Sequence, residues 1–113
     1  MCGNKALQEI LSRLRKAYSD TFGTALVRVV LYGSYARHTQ DEQSDIDVAA
    51  IVRGNRPELQ EMLKKVWDVA DDLSLEYDVV ISPTVIPYDE FERFRNDLPY
   101  YANIEREGVE IGA

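Results

Sequence analysis

The sequence predicts an α/β domain in which a small mixed β-sheet of about three to four strands is flanked by helices. Three observations lead to this prediction: apolar residues at helical spacing in 6–18, a β-branched run in 25–32, and a second helical stretch that begins near residue 55. Segments that alternate in this way are typical of helices packed on a sheet. Because 113 residues suffice for one core but hardly for two, we expect residues 1–113 to form a single domain.

The first helix and the first strand have clear signatures. Apolar residues recur along one helical face at Leu7, Ile10, Leu11, Leu14, Ala17 and Tyr18. Residues 21–24, which include a glycine, predict the end of this helix. Residues 25–32 are nearly all apolar and rich in valine, as expected of a strand covered on both sides.

A second strand and a second helix follow. The strand is predicted at 45–52, after a polar segment from 37 to 44, and Gly54 ends it. Asn55 with Glu58 three residues later, and a proline between them, is an N-terminal helix-capping pattern. The buried face of this helix is predicted to carry Leu59, Met62, Leu63, Val66, Trp67, Ala70 and Leu73, which assigns the tryptophan to the core.

The remainder of the chain has weaker patterns. Residues 77–82 predict a third short strand, and Pro83 is expected to close it. Residues 88–101 have near-helical spacing of apolar side chains at Phe91, Phe94 and Leu98. Residues 104–111 are polar, with room for a short extended piece.

Composition narrows the classes of function. Thirteen basic and twenty acidic residues give a net charge of -7, which disfavours direct binding of long nucleic acids. A nucleotide carried by divalent cations is compatible with an acidic chain, because the metal neutralises the phosphates. The absence of an apolar stretch of bilayer length, a start without export features and a lone Cys2 together predict a cytoplasmic protein with no membrane partner.

A pair of acids and a glycine turn carry the chemistry. Asp45 and Asp47 are two residues apart on a predicted strand, so both carboxylates project from one face. Two close like charges are relieved by a divalent cation, and hard oxygen ligands favour Mg²⁺ or Mn²⁺. Gly33 and Ser34 end the preceding strand in a turn whose backbone N–H groups can approach a phosphate. The alternative is a solvated edge strand that happens to carry two acids.

These residues resemble a known family. Gly33 and Ser34, ten intervening residues and then Asp45 and Asp47 look like the signature of the nucleotidyltransferase superfamily that includes DNA polymerase beta. The sequence motifs Gly-Ser-Tyr-Ala-Arg and Ser-Asp-Ile-Asp-Val are most similar to those of the minimal nucleotidyltransferases, which are antitoxins of HEPN/MNT toxin–antitoxin pairs. The resemblance implies a polymerase beta palm-like fold.

The resemblance also implies an activity. It predicts transfer of AMP from ATP, with two Mg²⁺ ions, or Mn²⁺ in their place, to a tyrosine hydroxyl of a partner HEPN ribonuclease toxin. This modification would neutralise the toxin, with which the chain would form a hetero-oligomer. A third carboxylate is expected on a later strand, and Asp78 has a suitable place, so that Asp45, Asp47 and Asp78 would be the catalytic metal ligands. The enzyme interpretation depends on Asp78 lying near the other two.

The remaining site residues are less specific. Gly33, Ser34, Arg37 and Ser44 are predicted to contact the nucleotide, although Arg37 has the alternative of a salt bridge with Asp41 or Glu42. His38 stands where related sequences commonly have glycine, and it is expected to be a solvated loop residue and not a zinc ligand.

Three alternatives remain open at this stage. Asp78 can instead cap a turn at the entry of a strand. Tyr100, Tyr101 and Phe91 can form an exposed surface for a partner. The chain can also be an antitoxin that acts by binding alone, or a nucleotidyltransferase that modifies a small molecule.

Overall fold

A four-stranded mixed sheet with helices on both faces is the framework of this computed structural model, which describes residues 3–41 and 44–112. The elements in chain order are α1 (Asn4–Phe22), β1 (Leu26–Tyr32), α2 (Ser34–Arg37), β2 (Ile46–Val52), α3 (Arg56–Tyr77), β3 (Ile81–Pro87), α4 (Tyr88–Phe94), α5 (Pro99–Glu107) and β4 (Val109–Glu110). The strand order is β3-β2-β1-β4. β1 is antiparallel to β2 and β4, whereas β2 and β3 are parallel. The predicted α/β fold class is therefore confirmed.

The central strand β2 separates two cores. Ile46 and Val48 belong to a cluster with side chains of α1 and α3, whereas Ala49 and Ile51 belong to a second cluster with side chains of α4 and α5. Successive side chains of a strand point to opposite faces, so even-numbered residues of β2 face α1 and α3 and odd-numbered residues face α4 and α5. Asp47 therefore projects toward the α4/α5 face.

The long helices start and end close to the predicted positions. α3 begins with the predicted cap, since the Asn55 side chain accepts a hydrogen bond from the Glu58 backbone N–H at 3.1 Å. α1 ends at Phe22, where Gly23 takes a positive φ of 58° and a 3-10 turn leads into β1. In the described part of the chain, neither helix nor any other is long and apolar enough to cross a lipid bilayer.

The prediction for Trp67 was wrong. Its side chain is 41% exposed, whereas the buried residues of α3 are Leu59, Leu63, Val66, Ala70 and Leu73. Trp67 follows Val66, and one residue is a rotation of about 100° around a helix. This rotation moves the indole past the edge of the buried stripe.

The predicted third strand was also misplaced. α3 continues to Tyr77, and β3 runs from Ile81 to Pro87, so Pro83 lies within the strand instead of closing it. β3 is an edge strand, and the backbone N–H of Ile46 bonds to the carbonyl of Val80. In this register the backbone nitrogens of residues 81, 83, 85 and 87 point away from β2. Pro83 is tolerated there because a residue at such a position donates no hydrogen bond to the neighbouring strand.

The C-terminal third completes the second core. The predicted helical stretch is two helices, α4 and α5, and the predicted extended piece is β4. Phe91 is fully buried and Tyr101 is only 7% exposed, whereas Tyr100 is 45% exposed. The alternative of an exposed surface made of all three aromatic residues was therefore wrong, because two of them pack against the sheet.

Candidate active site

Gly33 brings the backbone against Asp47. It has φ 76° and ψ -154° at the junction of β1 and α2, a conformation that favours glycine. A Cβ atom at this position would lie 2.5 Å from Oδ2 of Asp47, which is shorter than any real contact of that kind. Because glycine adopts this positive-φ conformation without strain and carries no Cβ, the turn can lie directly against the Asp47 carboxylate, so the predicted juxtaposition of the glycine turn with an acid of the pair is present at Asp47.

The short helix α2 fixes the turn that follows. The backbone N–H groups of Ala36 and Arg37 donate to the Gly33 carbonyl at 3.1 and 3.2 Å, and the Thr39 N–H donates to the Ser34 carbonyl at 2.9 Å. Ser34 is thereby held as the first residue of α2, next to Gly33. These backbone hydrogen bonds fix the position of Ser34 without a ligand.

Asp45 and Asp47 form an acidic pair at the start of β2. Burial is the main cause that raises the pKa of Asp47, and the charge of Asp45 raises it further, whereas Arg37 acts in the opposite direction. Among the described residues, no hydrogen bond or ion pair involves either carboxylate. Asp45 is exposed and Asp47 is half-buried, and two repelling carboxylates of this kind fit a divalent cation, which would relieve the repulsion.

Arg37 and Ser44 lie on the two sides of the loop between α2 and β2. Nη1 of Arg37 is 3.2 Å from Oε2 of Glu107, so the arginine forms its salt bridge with α5. The sequence had offered Asp41 or Glu42 as the salt-bridge partner, and Glu42 lies outside the described residues. The Ser44 hydroxyl accepts from the Asp41 backbone N–H at 2.9 Å. Ser44 thus stabilises the turn that leads into Asp45, and its predicted contact with the nucleotide stays a prediction.

His38 adopts a left-handed backbone conformation that usually favours glycine. It is the C-cap of α2 with φ 59° and ψ 35°, the left-handed helical conformation. Glycine adopts this conformation freely, whereas other residues need about 1–2 kcal/mol. The shape of the loop is therefore retained in spite of the histidine, at a cost in stability.

The structure does not bring Asp78 together with the other two aspartates. Asp78 is the left-handed C-cap of α3, with φ 54° and ψ 52°, and it is exposed. It precedes β3 by three residues, and within the described residues no group of three or more histidine, cysteine or acidic side chains is arranged to hold a metal ion. The placement of Asp78 on a strand beside Asp45 and Asp47 was wrong. Capping explains this residue, because aspartate tolerates the left-handed conformation.

Two tyrosines next to the site were not predicted. Tyr32 pairs with Asp47 across the antiparallel strands, and its hydroxyl lies 3.0 Å from the hydroxyl of Tyr100 on α5. Burial is the main cause that raises the pKa of Tyr32, followed by the Tyr100 hydrogen bond and the charges of Tyr100 and Asp47. The position of Tyr32 directly before Gly33 was the available signal in the sequence.

Comparisons with known proteins identify the family of this chain. The model of the family described as "Nucleotidyltransferase domain" matches residues 10–110. The chain is 42% identical over 77 residues to "Putative protein adenylyltransferase MJ0141" of Methanocaldococcus jannaschii, an alignment that covers 68% of this chain and 76% of that protein. It is 28% identical to "Putative protein adenylyltransferase MJ0604" of the same organism, with 92% of each chain covered.

Solved structures share the fold. The solved structure described as "Structure of putative minimal nucleotidyltransferase" superposes with a TM-score of 0.59 at 18% identity, and the match covers 95% of this chain and 94% of that one. A toxin–antitoxin crystal structure with AMP-PNP superposes with a TM-score of 0.58 at 20% identity and covers 91% of this chain and 73% of that one. The glycine turn facing an acid pair, the mixed sheet and the match over residues 10–110 lead to one conclusion: the chain belongs to the nucleotidyltransferase domain family and is a nucleotidyltransferase.

Proposed function

We propose that this chain is an antitoxin that transfers AMP from Mg-ATP to a tyrosine hydroxyl of a partner HEPN ribonuclease toxin and thereby neutralises it. The observation that carries the proposal is the approach of Gly33 to Asp47, where an added Cβ atom would be only 2.5 Å from the carboxylate. This approach supports the proposal, because a turn that can bind phosphate lies directly beside an acid that would hold the metal.

The residues present fit a magnesium nucleotide. Asp45 and Asp47 would hold the metal, and magnesium is commonly bound by one or two carboxylates together with phosphate oxygens. When bound, the cation lowers the pKa of the attacking hydroxyl and neutralises the departing pyrophosphate. Ser34 and the backbone of Gly33 would bind the terminal phosphates.

Arg37 has a further role in this proposal. Burial and the charge of Asp45 raise the pKa of Asp47, and the Arg37 guanidinium is close enough to oppose this rise; Arg37 is also paired with Glu107 at 3.2 Å. Both side chains of this pair are partly exposed, so the pair contributes little stability. A phosphate can therefore replace Glu107 as the partner of Arg37, with two parallel hydrogen bonds.

The transfer reaction needs no covalent intermediate with this chain. The tyrosine oxygen of the acceptor forms a bond to the α-phosphorus of ATP, and the bond from that phosphorus to the oxygen bridging to the β-phosphate breaks. Pyrophosphate leaves, and the proton of the tyrosine is released to solvent. Positioning and charge stabilisation by the site supply most of the rate in phosphoryl-group reactions of this kind.

A protein acceptor is supported by two facts. The two relatives described above carry the name "Putative protein adenylyltransferase", and one superposed structure is a toxin–antitoxin with AMP-PNP. In addition, the chain is acidic, with a net charge of -7, which disfavours a nucleic acid as the acceptor.

Mass spectrometry tests the proposal directly. The purified chain is incubated with MgATP and the product of the neighbouring gene, which is the proposed HEPN partner, and the mass of the intact partner is measured. We expect the partner to gain one or more adenylate groups, and fragmentation to locate them on tyrosine. A folded partner that remains unmodified with the wild-type chain, but is bound by it, would replace the transfer proposal with the alternative of neutralisation by binding alone.

A further inference from the structure

One crosswise row of the sheet passes through the site. Asp47 is the register partner of Tyr32 on β1 and of Ser82 on β3. Partners on neighbouring strands lie about 5 Å apart, and their side chains project from the same face. Tyr32, Asp47 and Ser82 are therefore neighbours in one row that crosses three strands.

The burial pattern confirms the face to which Ser82 points. Ile81 and Val85 belong to the core under α1 and α3, whereas Ile86 belongs to the core under α4 and α5. Because side chains alternate along β3, Ser82 points toward α4 and α5, as Asp47 does. Ser82 is half-buried and lies at the end of the sheet where the acids begin.

Asp78 cannot take this place in the row. It is exposed at the C-cap of α3, and the backbone between it and Ser82 includes the helix-terminating hydrogen bond from the Val79 N–H to the Ser74 carbonyl at 3.2 Å. The residue of β3 that stands beside Asp47 is thus a neutral hydroxyl and not a carboxylate.

We propose that Ser82 is the third ligand position of the site, so that this chain has a two-carboxylate metal site completed by a serine hydroxyl. The inference deepens the proposed function and rests on it for the identity of the metal. With two negative charges instead of three, the protein alone binds a divalent cation weakly. The phosphates of the nucleotide supply the missing charge, so the metal is retained mainly when the nucleotide is present.

Electron paramagnetic resonance of Mn²⁺ tests this proposal without any transfer reaction. Free Mn²⁺ is titrated with the full chain, first alone and then with a non-hydrolysable ATP analogue. We expect weak binding to the wild-type chain alone and much tighter binding with the analogue. Ser82→Asp should bind Mn²⁺ alone at least about tenfold more tightly than wild type, because it adds a charge at direct contact distance.

Two further variants keep the test decisive if Ser82→Asp fails to fold. Ser82→Ala should weaken Mn²⁺ binding in the presence of the analogue by about fivefold, the effect of one lost neutral ligand contact. Asp78→Asn, which retains the capping conformation, should bind Mn²⁺ as wild type does. Circular dichroism is recorded for each variant to confirm that it is folded.

The proposal is overturned by either of two results. One is a loss of Mn²⁺ binding in Asp78→Asn as large as that in Asp47→Asn, which would identify Asp78 as the third ligand. The other is unchanged Mn²⁺ binding in every Ser82 variant that folds, whether that is Ser82→Ala alone or Ser82→Ala together with Ser82→Asp. Failure of the chain to modify a HEPN partner would leave these binding results intact, so the two proposals fail separately.

Discussion

Acidic residues on one face of the sheet occupy two contrasting environments. In the site, Asp45 and Asp47 repel each other, and burial together with Asp45 raises the pKa of Asp47. At the other end of the strands, Glu90, Arg56 and Tyr101 form a polar cluster. In this cluster Glu90 is paired with Arg56 and accepts a hydrogen bond from the Tyr101 hydroxyl at 2.6 Å. The tyrosine and the arginine together lower the pKa of Glu90.

The difference separates structural acids from functional ones. Glu105 follows the pattern of Glu90, since it forms ion pairs with Arg28 and Arg95, which are also in contact with the ring of Phe91. These carboxylates are satisfied by the fold itself. Asp45 and Asp47 make no such contacts among the described residues, and an acid pair that costs stability is expected where a ligand supplies the missing charge.

The largest effect on activity is expected when one acid of the Asp45–Asp47 pair is neutralised. Asp45→Asn and Asp47→Asn should each lower the rate of AMP transfer to the partner on the order of 10³-fold, because each removes a charged ligand used in the transition state. The rate is measured with radiolabelled ATP under single-turnover conditions.

Glu90→Gln is the matched control for these variants, since it neutralises an acid on the same face outside the site. Its rate should stay within about threefold of wild type, a change below 1 kcal/mol. Equal losses in Glu90→Gln and Asp47→Asn would remove the distinction between the two clusters. In cells, full protection from the toxin by the doubly substituted Asp45→Asn, Asp47→Asn chain would show that binding alone is sufficient.

A smaller effect is expected at the left-handed position of the site loop. His38→Gly should raise the free energy of unfolding by about 1 kcal/mol, because glycine adopts the conformation at φ 59° without strain. Urea denaturation measures the change. His38→Ala is the control and should give no such gain, since alanine shares the steric penalty; equal stabilisation by both variants would contradict the explanation.

The paired cluster gives a prediction that depends on pH. The folded protein holds the pKa of Glu90 below its ordinary value, so this carboxylate stabilises the fold above that ordinary value and the stabilisation is lost as the pH falls through the folded pKa. Glu90→Gln should therefore cost about 1 kcal/mol at pH 7, after allowance for solvent screening, and much less in acid. Thermal melts of both chains across this range measure the difference, and a cost that does not change with pH would contradict it.

The contribution of Asp47 to the free energy of unfolding should have the opposite sign to that of Glu90 and should be the smallest of the effects predicted. Its pKa is raised in the folded protein, so the penalty is absent at low pH and appears as the pH rises past the ordinary value of an aspartate. Without metal at pH 7, Asp47→Asn should stabilise the chain by about 0.5 kcal/mol, since the side chain is partly exposed and its repulsion is screened. A lower melting temperature for this variant, measured in the presence of a chelator, would show that the carboxylate has an unrecognised partner.

The sequence predicted the order of the elements and the acid pair because these depend on local patterns. Helical spacing located α1 and α3, and the glycine turn with Asp45 and Asp47 was evident from spacing alone. The position of β3 was missed, because whether a proline ends a strand depends on which edge of the sheet its nitrogen faces. Ser82 was missed for a related reason, since only the register between β2 and β3 places it beside Asp47.

The two prolines of β3 also bear on how the molecule assembles. Pro83 and Pro87 both occupy positions whose nitrogen faces away from β2, on the open side of the sheet. Neither can donate a hydrogen bond, so an incoming strand from another chain would meet gaps in the ladder at every other outward position. Strand pairing between copies of this chain is thereby disfavoured along the β3 edge of the sheet.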